Sequence, residues 1–102
     1  MPHWRRCMQG HAGCNLMPLA AANRIGLETV TPSDANQHQS SSLTFYGSSF
    51  IADETGALVE DASRDKEEIL VHTFDLDAVR EMRMSWGVFR DRRPNMYGEI
   101  TK

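Results

Sequence analysis

Cysteine is scarce in this 102-residue chain, with only Cys7 and Cys14, whereas a secreted chain this short would usually carry several bridges. A cytoplasmic protein is therefore expected. Long apolar runs are lacking too: no stretch approaches the roughly 18 consecutive apolar residues of a membrane-spanning helix. Nothing near Met1 combines a basic start, an apolar run and a small-residue cleavage site. No membrane partner is expected. An excess of positive charge is likewise missing, because 11 Lys+Arg against 14 Asp+Glu leave a net charge of -3. That is the wrong sign for generic phosphate binding, so nucleic acid is not an expected partner. Leu, Ile, Val and Phe together make up about a fifth of the chain, the lower edge of what a packed core requires. The length allows one domain at most, and no internal repeat is visible.

What is present begins with a helical pattern from Trp4 to Leu16, in which Trp4, Met8, His11/Ala12 and Asn15/Leu16 recur at three- and four-residue steps. Gly10 and Gly13 each cost such a helix up to about 1 kcal/mol relative to Ala, which makes sense where another surface approaches the backbone. Pro18 and the small residues that follow predict a buried strand over 17–22, ending near Asn23. The polar stretch Thr31 to Ser42 reads as a surface loop. Leu43 to Ala52, the turn Asp53-Glu54-Thr55-Gly56 and Ala57-Leu58-Val59 read as a hairpin. A charged patch from Glu60 to Glu68 leads into Ile69 to Phe74, a third strand candidate. Asp75 is placed to cap a helix that runs through Val79, Met82 and Arg83, with Asp77 adding favourable charge, and that stops before Gly87. Pro94 excludes a continuing helix in the last segment, 86–102, which is aromatic and basic without clear periodicity. Such a tail is expected to lie across another surface.

Candidate chemistry is sparse. Cys7 and Cys14 lie two turns apart on a helix, a rise of about 10.5 Å, which is beyond the reach of a disulfide. His3, Cys7 and His11 allow a metal site to be drawn, but three ligands on one straight helix cannot close a tetrahedron around zinc. The cysteines are read as small helix-packing residues, and no metal is expected. His11, His38 and His72 lack sequence neighbours that would make a base and nucleophile pair. The acids between Asp53 and Glu68 lack calcium-loop spacing and read as a solvated face. Arg90, Arg92 and Arg93, interleaved with Trp86 and Phe89 but flanked by Asp91, read as a salt-bridged tail rather than an RNA-binding one. Composition and spacing by themselves yield no active site.

Three blocks nevertheless carry a resemblance. They are His3-Trp4-Arg5-Arg6-Cys7-Met8-Gln9-Gly10-His11-Ala12-Gly13-Cys14-Asn15-Leu16 followed by Ala22-Asn23-Arg24-Ile25-Gly26; Phe45-Tyr46-Gly47-Ser48-Ser49-Phe50-Ile51 with Gly56; and Phe74-Asp75-Leu76-Asp77 leading to Trp86-Gly87-Val88-Phe89-Arg90-Asp91-Arg92-Arg93-Pro94 with Tyr97. In this order they resemble the C-terminal part of the branch of the nitrilase, or carbon-nitrogen hydrolase, superfamily that acts on N-carbamoylputrescine. The resemblance covers nearly the entire chain. It implies an α/β fold that is part of a nitrilase-type αββα sandwich, read here as helix, strand, hairpin, strand, helix and extended tail. Residues 1–102 would form the C-terminal portion of a carbon-nitrogen hydrolase domain, with 86–102 as a tail reaching over a neighbouring subunit.

The resemblance further implies hydrolysis of N-carbamoylputrescine to putrescine, ammonia and carbon dioxide in polyamine biosynthesis, with a cysteine nucleophile, a proton-moving glutamate, an oxyanion-stabilising lysine and no cofactor. All three catalytic residues belong upstream of the matched region. Lys66 and Lys102 do not align with the family lysine, and Cys7 and Cys14 come after the family nucleophile, so no catalytic residue is assigned here. Asn23 and Arg24, at the C-terminal end of a strand, are the candidates for supporting the substrate pocket, with a structural loop role as the alternative. Trp4, Met8, His11 and Asn15 are assigned to a dimer-interface helix. The expectation is a C-terminal part read from a truncated or misassigned start at Met1, inactive alone, whose partner is a second copy or a full-length amidase subunit, with a small-molecule substrate only in the intact enzyme. The alternative is a non-catalytic interaction module that pairs with full-length subunits.

Overall fold

The computed structural model describes residues 2–100. Met1, Thr101 and Lys102, and with them the proposed start and the end of the 86–102 tail, lie outside the described residues. The chain runs α1 (Pro2–Asn15), β1 (Leu19–Ala21), β2 (Ile25–Val30), β3 (Ser41–Tyr46), β4 (Phe50–Ala52), β5 (Leu58–Asp61) and α2 (Leu76–Trp86), with single 3-10 turns at Asp34–Asn36 and Pro94–Met96. It is a mixed α/β fold, as the sequence implies.

The helical spacing puts Ala12 on the inner side of α1, where it packs with Phe50 and Ala52 of β4. Trp4 and Met8 from the helix and Leu19 and Ala21 from β1 close over this small core. Phe50 and Ala52 are 1% and 0% exposed, and the Trp4 ring meets Phe50 edge-on at 5.3 Å between centroids. Burying an aromatic ring in this way is the largest single apolar contribution a chain this small can make. The sheet beneath α1 has the order β1-β4-β5, all antiparallel. Leu19 faces Ala52 and Ala21 faces Phe50 across the first ladder.

The close approach inferred for the helix glycines holds at one of the two. A Cβ on Gly13 would stand 2.9 Å from the Thr55 carbonyl oxygen, so the β4–β5 turn lies directly on the helix backbone. Gly56 completes the contact from the other side: its φ of +85° needs glycine, and a Cβ there would meet the Gln9 carbonyl at 2.6 Å. Gln9 Nε2 donates to the Gly56 carbonyl at 2.8 Å. Gly10 has nothing within 4 Å of a built Cβ. Its close-approach role is not realised among these residues.

Several expectations are corrected. The stretch Leu43 to Ala52 is not one strand. Gly47 and Ser48 both take left-handed backbone angles, which breaks it into β3 and β4 in different sheets. Buried Ser48 secures the break, donating its hydroxyl to the Tyr46 carbonyl at 2.9 Å and its amide to the Ser63 carbonyl at 3.0 Å. β3 pairs instead with β2, from Ile25 opposite Tyr46 to Val30 opposite Ser41. The spacing did not suggest β2, because the alternation begun by Ile25 and Leu27 lapses at Thr29. Ser41 and Ser42, read as loop, open β3, since ladder bonds need no apolar side chain. β1 is an edge strand of mixed exposure rather than a buried one.

Ile69 to Phe74 joins no sheet. Ile69 and Val71 point outward at 91% and 76% exposed, and among the described residues no strand lies alongside to accept the backbone bonds. His72 ties it down, with Nδ1 3.2 Å from Glu60 Oε1 and its ring tilted against Phe74. The β4–β5 hairpin and α2 form as expected. The Asp75 carboxylate accepts from the Asp77 and Ala78 amides at 3.0 Å, and Gly87 ends the helix at φ 63°.

Candidate functional site

Asn23 stands just past the end of β1 and joins three backbone segments. Its amide N–H donates to Ser49 Oγ at 2.8 Å, and its side-chain Nδ2 donates to the Gly47 carbonyl at 2.8 Å. Its Oδ1 accepts from the Arg24 amide at 2.9 Å. The Gly47 amide in turn donates to the Arg24 carbonyl at 2.9 Å. These bonds hold the β1–β2 corner against the break between β3 and β4. The Asn23 carboxamide donates from one end and accepts at the other, which lets one side chain bond both Gly47 and Arg24. The Arg24 guanidinium reaches back along β2, pairing with Glu28 and lying over the Phe45 ring at 4.5 Å.

Around this corner opens a cleft of about 470 Å³ whose lining includes Asn23, Arg24, Ser49, Ser63, Lys66 and Glu68. The Glu68 carboxylate accepts from the Ser63 amide. Hydrogen bonds from the Ser63 amide and hydroxyl hold its carboxyl below the usual range, so it is an anion at neutral pH. The cleft thus brings the Lys66 and Glu68 side chains beside the Asn23–Ser49 corner, while the Arg24 guanidinium is engaged by Glu28 and Phe45, which do not line it. Neither thiol lines it, since Cys7 and Cys14 both sit exposed on α1. The reading of the cysteines as helix-packing residues is corrected, because the spacing that places Trp4, Met8 and Ala12 inward turns both thiols outward.

The structure brings Asn23 and Arg24 together but separates the four residues assigned to the interface helix. Trp4 and Met8 pack on the chain's own sheet, whereas His11 and Asn15 are exposed, with Asn15 Nδ2 donating to the His11 carbonyl at 2.8 Å. Two contributors were not singled out from spacing. Ser49 is the anchor for Asn23, and the signal for it was the Phe-x-Gly-x-Ser block that it closes. Arg5 binds Asp61 by its guanidinium, reaches the Ser48 carbonyl at 3.3 Å and lies 5.5 Å from the Phe50 ring centre, linking α1 to β5. In the tail Arg90 pairs with Asp91 at 2.7 Å, and Arg92 stacks on Phe89 at 3.7 Å. Among the described residues no helix is long and apolar enough to cross a membrane.

The chain as a whole falls in a known class. Residues 1–84 match the family model described as carbon-nitrogen hydrolase, and the chain belongs to that family. Within it, the chain is 55% identical over 95 residues to an N-carbamoylputrescine amidase of Arabidopsis thaliana, covering 93% of this chain and 30% of that protein. It is 43% identical over 100 residues to a citrullinase of Francisella tularensis, covering 98% of this chain and 32% of the relative. The crystal structure of a carbon-nitrogen hydrolase from Helicobacter pylori G27 superposes with a TM-score of 0.77 at 36% identity, over 99% of this chain and 33% of that one. The chain therefore spans about a third of the length of the proteins it matches.

Proposed function

We propose that these residues are the C-terminal part of an amidase that hydrolyses N-carbamoylputrescine to putrescine, ammonia and carbon dioxide, within polyamine biosynthesis in the cytoplasm. The observation that carries this reading is the 55% identity to the Arabidopsis amidase across 95 residues. By the family resemblance, a cysteine thiolate attacks the carbamoyl carbon, ammonia leaves, and water then releases the thiocarbamoyl group as the carbamate, which loses carbon dioxide. The thiol, glutamate and lysine for these steps lie in the part of the relatives that this chain does not span. The contribution of this chain is support: Asn23 and Ser49 hold the corner, Arg24 braces it through Glu28 and Phe45, and Glu68 lines the cleft. Its partner is a second copy or a full-length amidase subunit.

A chimaera tests this directly. Replacing the matched third of the Arabidopsis amidase with these residues is expected to leave an enzyme that releases ammonia from N-carbamoylputrescine and leaves citrulline untouched. A folded chimaera without that activity, or one that prefers citrulline, overturns the substrate. The 102 residues alone are expected to release ammonia at the rate of the blank, and any faster release overturns the supporting role.

A further inference from the structure

Ile69 to Phe74 joins neither sheet, yet its side chains are sorted as those of a strand are. Ile69, Val71 and Thr73 are exposed, whereas Leu70 and Phe74 are half-buried. Between these two, His72 bonds Glu60 of β5 and meets the Phe74 ring. Every second residue is thus engaged by the chain itself, the pattern of a strand with one covered face. Leu70 lines a cleft of about 220 Å³ with Ala20 and Ile51, which stand opposite each other on the face of β1 and β4 turned away from α1. Among the described residues, however, no backbone N–H or C=O group from Ile69 to Phe74 takes part in a hydrogen bond.

We propose that Ile69 to Phe74 is a docking strand, to which the part of a carbon-nitrogen hydrolase that this chain does not span adds a neighbouring strand and an apolar cover. The proposal rests on the reading of the chain as part of such an enzyme. In the Helicobacter hydrolase, the fold that takes up 99% of this chain is only 33% of the protein, so about twice as many further residues accompany it there. A strand from that part satisfies the open backbone groups through ladder bonds. Apolar side chains from the same part take Ile69 and Val71 out of water.

Hydrogen exchange read by mass spectrometry tests this in the 102-residue chain and in the chimaera with the Arabidopsis amidase. Amides of this segment are expected to exchange freely in the chain at any concentration. In the chimaera they should exchange at least about a hundredfold more slowly, since ladder bonds must open first. Val71→Asp is expected to leave the circular dichroism of the chain unchanged, because that side chain already faces water, and to lower the melting temperature of the chimaera by several degrees. Fast exchange of this segment in a folded chimaera, or a chimaera indifferent to Val71→Asp, overturns the docking strand. A chimaera that does not fold overturns it as well, because the surface then does not fit this partner. Protection that appears in the chain alone as its concentration rises overturns it in favour of a second copy. Slow exchange in a chimaera inactive towards N-carbamoylputrescine supports the docking strand and overturns only the substrate.

Discussion

The first 61 residues gather a small buried core, although Met17, Leu27 and Leu43 stay exposed there, whereas the last third buries only Val79 among its large apolar side chains. In the first, α1 lies on β1-β4-β5, and Phe50 disappears between Trp4 and Ala12. In the second, Ile69, Val71, Trp86, Phe89 and Ile100 all face solvent, with Trp86 at 68% exposed. α2 is well formed at both ends by Asp75 and Gly87, yet it buries only Val79. Local signals therefore suffice to make a helix, while its apolar face still lacks a cover within these residues. Caps decide where a helix starts and stops; burial decides whether it adds stability. The contrast agrees with a chain that spans about a third of its relatives' length.

Five substitutions and a titration sharpen or break this contrast. Phe50→Ala should remove about 3–5 kcal/mol, comparable with the whole stability of a small domain, and abolish any cooperative melt followed by circular dichroism. Gly13→Ala drives a methyl group toward the Thr55 carbonyl and should cost about 1–3 kcal/mol. Gly10→Ala, facing open space, should instead stabilise by up to about 1 kcal/mol. Equal effects at the two glycines would show that the β4–β5 turn does not rest on α1.

The turn itself has an acid signature. Burial alone would raise the Asp53 carboxyl, but the Thr55 hydroxyl and the Thr55, Ala57 and Gly56 amides together hold it below its usual 3.8. A depressed folded pKa contributes stability above the unfolded value, lost as pH falls through the folded one. Melting temperature should therefore drop on acidification below about pH 4, and Asp53→Asn should flatten that part of the profile, at a cost of about 1 kcal/mol near neutral pH. The smallest effect is expected in the last third: Trp86→Ala in this chain should shift stability by less than about 0.5 kcal/mol. A loss as large as that of Phe50→Ala would erase the distinction between the two regions.

Much of this layout was legible residue by residue. Helical spacing announced α1 and put Trp4, Met8 and Ala12 near one face, though not that Trp4 and Met8 pack on the chain's own sheet, and Asp75 and Gly87 marked the ends of α2 through chemistry that acts within one turn. The β4–β5 hairpin followed from Asp53 and Gly56. The break at Gly47 and Ser48 was not legible, because two left-handed residues look like ordinary sequence until Ser63 and Arg24 supply the bonds that hold them. The same holds for β2, which exists because β3 lies beside it. Asn23 and Arg24 were singled out on their position and the resemblance; that Asn23 is tied to Ser49 and Gly47 emerged only with the chain folded.

By itself, then, the sequence determined the helices, their caps, the hairpin turn and the family, since each rests on residues close together in the chain or on a shared string of them. Tertiary structure alone decided which strands pair, that Gly13 rather than Gly10 meets a neighbour, and that Ile69 to Phe74 stays unpaired. Those outcomes depend on which distant backbone groups are within reach. Backbone hydrogen bonds have no sequence code of their own.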